Sequence, residues 1–374
     1  MTPQSGHLEL DRVETQRVQL SPDMGPNTNT LSSSAVKLAR SLAWMPGQEE
    51  SRHFRDRCET LYRSLQPLLM SLESRSTTIA SDDFRRLQEN VFLLRGEFHE
   101  TCGTFHAPHK LPQVRTPDGT IVPRIAALAE DYFAASSYEF STASFTSYIQ
   151  AFQEITVLKM SELWMLVPVM KIVLLEHIAE RSRRMLESPT KSSGIPELVH
   201  SLQEIKQTSW KVVIEPLILF DRILREDPAR AYPRMDYETR ELYRQQLVKI
   251  SERCDCSEMK VASEVLQLTR EAQNRRNEDP RVTERESHVG FYLLAEGTRV
   301  LRERVGFHPA VAERLRIFLR EHPDEFYLPG IAALTLAIVW GVVVLLTPPT
   351  TPCGWSCLPY WLCCCRVHRV PSRS

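Results

Sequence analysis

From residue 51 onward, apolar residues recur along this chain at the spacing of an α-helix. Leu61, Leu65, Leu68 and Leu72 fall at i, i+4, i+7 and i+11 and share one face. Phe84, Leu87, Val91, Leu94 and Phe98 form the next stripe, behind the capping candidates Ser81 and Asp82. Residues 102–123 read as a loop, because Pro108, Pro112, Pro117, Asp118-Gly119 and Pro123 interrupt any helix. Ile125, Leu128, Tyr132 and Phe133 mark another helix, and Phe145, Ile149, Phe152 and Ile155 the one after it. Leu163 to Leu175 is the most apolar stretch before the C-terminal region and contains Pro168 and Lys171. It is too short to cross a bilayer, so it predicts a buried helix kinked at Pro168. Arg181, Arg183 and Arg184 suit that helix's C-terminus, and 188–194 reads as a linker.

The second half continues the pattern. Val213, Leu217, Phe220 and Leu224 predict a helix closed near Asp227-Pro228. Asp236 is placed to cap the helix carrying Tyr243, Leu247 and Ile250. Ser257 is placed to cap the next, with Glu258 in its first turn and Val261, Val265, Leu268 and Ala272 as its stripe. Residues 273–287 form a charged connector. His288 to Glu296 predicts a short helix, with Gly297 at the C′ position. Val311, Leu315, Phe318 and Leu319 mark a last helix, broken at His322-Pro323. No stretch alternates as a strand would, so the expected class is all-α.

Leu328 to Leu346 carries no charge, and eleven of its nineteen residues are Leu, Ile or Val. At about 1.5 Å per residue it reaches roughly 28 Å, close to the ~30 Å of a bilayer's hydrocarbon core. It predicts a single transmembrane helix. The expected order is a disordered leader over 1–50, rich in proline and polar residues, a helical domain over 51–325, the span over 328–346, and an irregular Cys-rich tail over 347–374. The formal net charge of −1 argues against nucleic acid as a partner. The first residues lack a secretory pattern, which puts the helical domain in the cytosol and makes a membrane the expected partner. Arg314, Arg316 and Arg320 precede the span, against Arg366 within the twenty residues after it, which agrees. Cys58, Cys102, Cys254 and Cys256 are too scattered for a disulfide framework.

Candidate chemistry is sparse. His99, Cys102, His106 and His109 supply four zinc-type ligands in eleven residues, but Gly103 and Pro108 break the backbone between them. Cys254-x-Cys256 lacks a second pair. There is no phosphate loop, nucleophile elbow or H-E-x-x-H helix, so no catalytic or cofactor-binding residue is assigned. Residues 221–244 hold six acids and six bases, which reads as a solvated surface laced with ion pairs.

Four stretches together resemble the N-terminal region of bacterial cyclic β-1,2-glucan synthases: LPQVRTPDGTIVPRIAALAEDYF (111–133), FTSYIQAFQEITVLKMSELWMLVPVMKIVLLEHI (145–178), EDPARAYPRMDYETRELYR (226–244) and HVGFYLLAEG (288–297). Residue by residue they read as structure: Pro228 and Pro233 stiffen a turn, Tyr243 lies on a buried face, and Trp164 anchors the kinked helix. The resemblance implies a part of an inner-membrane enzyme that polymerises glucose from UDP-glucose. The family's D-x-D and Q-x-x-R-W signatures are both missing. The expectation is therefore a structural or regulatory, non-catalytic portion in a bacterial inner membrane, partnered by the rest of a synthase or another membrane protein. The alternative is a stand-alone membrane-anchored helical interaction protein. The tail after Leu346 departs from the family, and its composition reads as a truncation or frameshift, or else as cysteines available for acylation.

Overall fold

Residues 26–41, expected to be disordered, form the first helix of the computed structural model. The structure describes residues 26–45, 50–51, 53–73, 82–105, 109–187, 194–275, 279–308 and 323–346. In α1 (Pro26–Ser41) Leu31, Ala35 and Ala39 recur every fourth residue and are buried. Two alanines and one leucine in a Ser/Thr/Asn background make a weak stripe, which is why composition suggested disorder. The Ser34 hydroxyl fixes this helix by donating to Asp131 at 2.9 Å.

Short strands follow, where none was expected. β1 (Ala43–Met45) and β2 (Glu50–Ser51) precede α2 (His53–Glu73), α3 (Asp82–Glu89) and α4 (Val91–Thr104). β3 (His109–Lys110), β4 (Gln113–Arg115) and β5 (Ile121–Pro123) then occupy the segment read as a loop. β1, β4 and β5 form an antiparallel sheet, with Trp44 opposite Val114 and Val114 opposite Val122, and β2 pairs with β3. Two or three residues are too few to show a period of two. The β4–β5 turn uses Gly119 at φ +89°, and Asp118 accepts hydrogen bonds from Thr116 and Thr120.

α5 (Arg124–Ala135) and α6 (Thr142–Gln153) pack with α1 and lead into α7 (Met160–Glu187). Ser141 caps α6 by accepting from Ser144 N at 3.2 Å. α7 runs 28 residues, with Pro168 inside it, and extends beyond the expected arginines. Leu166, Val169, Met170, Ile172, Val173 and Leu174 are all buried, so almost its whole circumference is core, against α2, α4, α5 and α8 (Ile195–Gln207).

Beyond α8 seven further α-helices complete this part of the chain among the described residues. They are α9 (Trp210–Ile214), α10 (Leu219–Leu224), α11 (Tyr237–Ser251), α12 (Glu258–Asn274), α13 (Pro280–Glu286), α14 (Val289–Leu294) and α15 (Thr298–Arg304). α12 is their centre, in contact with α10, α11, α13, α14 and α15. Asp236 and Ser257 cap α11 and α12 as expected, accepting from Thr239 N and Lys260 N, each at 3.2 Å. Gly297 does not take the C′ role. It has αR geometry (φ −65°) and precedes α15 instead.

The chain divides into two units at residue 306. In the second, residues 307–308 and α16 (Pro323–Leu346), 24 residues long, are described. The helix expected around Val311 to Leu319 and the tail over 347–374 lie outside the described residues. Side chains of α16 are described for 331–343, and every one is exposed. Among the described residues, no helix is long and apolar enough to cross a membrane. The helix expected at 328–346 is therefore observed, but its role as a span is not.

Candidate functional site

Most charged residues of the segment read as a solvated surface are exposed, but Asp221, Asp227 and Arg244 are buried. Asp221 lies on α10, and Arg244 lies on α11 with no exposed surface. Arg244 donates from Nε to Asp221 at 2.9 Å and from Nη2 to Glu215 at 2.9 Å. Asp221 also accepts from Arg225 Nε at 2.7 Å and from the Tyr232 hydroxyl at 2.5 Å. Arg240 joins Glu215 at 2.6 Å, and the Arg244 guanidinium sits 5.4 Å from the centre of the Tyr237 ring. Burial opposes the Asp221 charge, but the hydrogen bonds from Arg244 and Tyr232 outweigh it and hold the carboxyl below its ordinary value. Burial pushes the Tyr232 hydroxyl up, and the neighbouring Asp221 charge adds to this, so it stays a donor.

A second carboxylate closes the turn before α11. Asp227 accepts from the backbone N–H groups of Ala231, Tyr232 and Val289, each at 3.1 Å. It thus ties the Pro228–Pro233 turn to the start of α14. Gly290 follows closely, since a Cβ there would lie 2.5 Å from Tyr243 Oη.

Beside this cluster lies a cleft of about 600 Å³, within the size range of small-molecule sites. Trp44, Arg124, Lys110, Phe220, Cys256 and Glu258 are among its walls. Arg124 starts α5 and is buried, donating from Nε to Glu162 at 2.8 Å and from Nη2 to the Val157 carbonyl at 3.1 Å. Its guanidinium lies 5.4 Å from the Trp44 ring centre. Glu258 had been assigned to the first turn of its own helix. It also caps α7 from outside, accepting from Met160 N at 3.1 and 3.0 Å. Burial pushes its carboxyl up to about 7, with Glu162 and Glu252 adding to the rise and the Met160 N–H and Lys159 opposing it. Glu162 in turn accepts from Lys159 N at 2.9 Å.

The chemistry available here is that of a closed polar frame. The carboxylates and guanidiniums at hand are bonded to one another or to helix ends, so none is a nucleophile beside a base. A carboxyl titrating near neutrality can hold or release a proton: holding it weakens the bonds from Met160 N that cap α7, and releasing it leaves a charge in a buried site.

The sequence candidates do not converge. His99 packs edge-on against Phe98, and Cys102 faces Cys58. His106 and the side chain of His109 lie outside the described residues. Among the described residues, no group of three or more His, Cys, Asp and Glu is arranged to hold a metal. Cys254 and Cys256 donate to the Ser251 and Val305 carbonyls, at 3.6 and 3.8 Å. Trp164 is not a buried anchor: it is 40% exposed, and its indole N–H donates to Glu241 at 2.9 Å.

No profile of a known protein family matches the chain. The cyclic beta-(1,2)-glucan synthase NdvB of Rhizobium meliloti (strain 1021) is similar to it, 24% identical over 320 residues. The match covers 63% of this chain and 11% of that protein. The chain is thus distantly related to that synthase and spans a small part of its length.

Proposed function

We propose that this chain is a non-catalytic helical module of the kind found at the N-terminus of cyclic β-1,2-glucan synthases, acting as a structural or regulatory element on the membrane. The observation that carries this reading is the similarity to the synthase without either glycosyltransferase signature in the sequence. The frame around Asp221, Asp227 and Glu258 supports it, because its polar groups bond helix ends together instead of converging on a reacting atom. α16 is the membrane element of the proposal. Leu334, Leu336, Ile338, Val339, Trp340 and Val343 are exposed together, so the helix presents apolar side chains on all faces. Such a surface needs an apolar surrounding, and the proposal takes a membrane as that surrounding. A bacterial inner membrane, with the helical domain on the cytosolic side, fits the arginines ahead of 328–346.

The test is expression of the full chain in a Gram-negative bacterium lacking its own glucan synthase. The chain should sediment with membranes and resist alkaline carbonate, and Val339→Arg should shift it toward the extractable fraction. The purified chain should not turn over UDP-glucose. Turnover above a membrane control would overturn the non-catalytic reading, and full carbonate extraction of the unsubstituted chain would overturn the membrane role.

A further inference from the structure

Helices α2 and α4 run antiparallel, held by three contacts along their length. At one end Glu73 of α2 pairs with Arg95 of α4. In the middle the Tyr62 and Phe98 rings stack, 6.0 Å between centres. At the other end the Cys102 thiol donates to the Cys58 sulfur. Both cysteines are thiols, and both line a surface cavity of about 420 Å³ with Arg55, Glu59, Tyr62, Arg63 and Phe105. A small oxidant reaching this cavity meets the two sulfurs side by side.

We propose that Cys58 and Cys102 form a reversible disulfide that locks α2 to α4, making this helix pair a redox-responsive latch. The hydrogen bond from Cys102 draws the Cys58 thiol below its ordinary value, against burial, and Arg57 adds to the effect while Glu176 opposes it. The first proton is therefore lost with the charge on Cys58, and the second is hard to remove: the hydrogen bond to Cys58, then burial and the Cys58 charge, push the Cys102 thiol up. That asymmetry gives one nucleophile and one resolving thiol.

With a hydroperoxide as oxidant the steps balance. The Cys58 thiolate attacks one oxygen of hydrogen peroxide, the O–O bond breaks, and the departing hydroxide takes a proton to become water. The Cys58 sulfenic acid is then attacked by the Cys102 sulfur. The S–S bond forms as the S–O bond breaks, and a second water leaves with the Cys102 proton. Two thiols lose two electrons and two protons, and one peroxide becomes two waters. Thiol–disulfide exchange with a cellular reductant returns the pair to its open form.

The experiment uses the purified full chain, reduced and then freed of reductant. It is treated with hydrogen peroxide, blocked with a maleimide, and mapped as non-reduced peptides by mass spectrometry. A linked Cys58–Cys102 peptide pair, two hydrogens lighter than its parts and released by dithiothreitol, is the expected result. In Cys102→Ser, Cys58 should instead stop at the sulfenic acid and be captured by dimedone. If peroxide leaves maleimide labelling of Cys58 and Cys102 unchanged, or links them to other cysteines, the proposal fails. The unsubstituted chain decides this without any variant, so misfolding of Cys102→Ser does not obscure the outcome.

Discussion

Arg244 carries five N–H donors into the interior with no exposed surface, and the surrounding carboxylates make that tolerable. Its bond to Asp221 is shared with Arg225 and Tyr232, and its second bond goes to Glu215. Removing one member leaves charge stranded in low dielectric. Arg244→Met should therefore destabilise the chain by about 3–5 kcal/mol, read as a lower urea midpoint. Glu258 carries the opposite kind of consequence. Its carboxyl is pushed up to about 7, above the ordinary value of 4.5. The native state thus keeps a proton that the unfolded chain releases between those values. The stability this group contributes is complete below about pH 4.5 and is lost as pH rises through 7. Relative to Glu258→Gln, which has no proton to lose, the unsubstituted chain should weaken from pH 5 to pH 8, by on the order of 3 kcal/mol at most. Urea unfolding of both chains at the two pH values checks this, and a constant difference would remove the assigned role.

At the scale of elements, much of the helical part was legible because a helix announces itself locally. The stripes of α2 and α12 are the buried positions found, that of α6 holds except for Ile155, which lies past the helix and is exposed, and Asp236 and Ser257 cap where their spacing placed them. α1 was missed because its face is small, with Ala35 and Ala39 where larger residues would have shown it. The strands were missed because β1 finds its partner β4 some seventy residues away, a pairing with no local trace. The buried network was missed for a related reason. Six acids and six bases look the same in sequence whether they face water or one another, and only the turn through Pro228 and Pro233 brings α10 against α11. Gly290 shows how tightly such elements meet. Gly290→Ala would place a Cβ 2.5 Å from Tyr243 Oη and 2.6 Å from His288 Cε1. The overpacking should cost about 1–3 kcal/mol, seen as a lowered melting temperature. Adding Tyr243→Phe should recover part of it, because the nearer atom is then gone.

At the scale of the whole molecule, the described residues of the first unit are mostly helical and gather around two long-range organisers, α7 and then α12. α7 has a consequence in time as well as in space. Its flanking helices α2, α4, α5 and α8 cover it from separate parts of the sequence. A local fluctuation that lifts one of them leaves the others in place. Its backbone N–H groups should therefore meet solvent deuterium only when the surrounding unit opens as one, while those at the ends of α9 and α13 exchange early. Pro168 carries no amide and leaves the Trp164 carbonyl without its usual helical donor, so any earlier opening should begin there. Hydrogen–deuterium exchange read by mass spectrometry should show peptides from 169–179 as the last to label. Early labelling of that stretch would mean that α7 is an outer layer and that the slow core lies elsewhere.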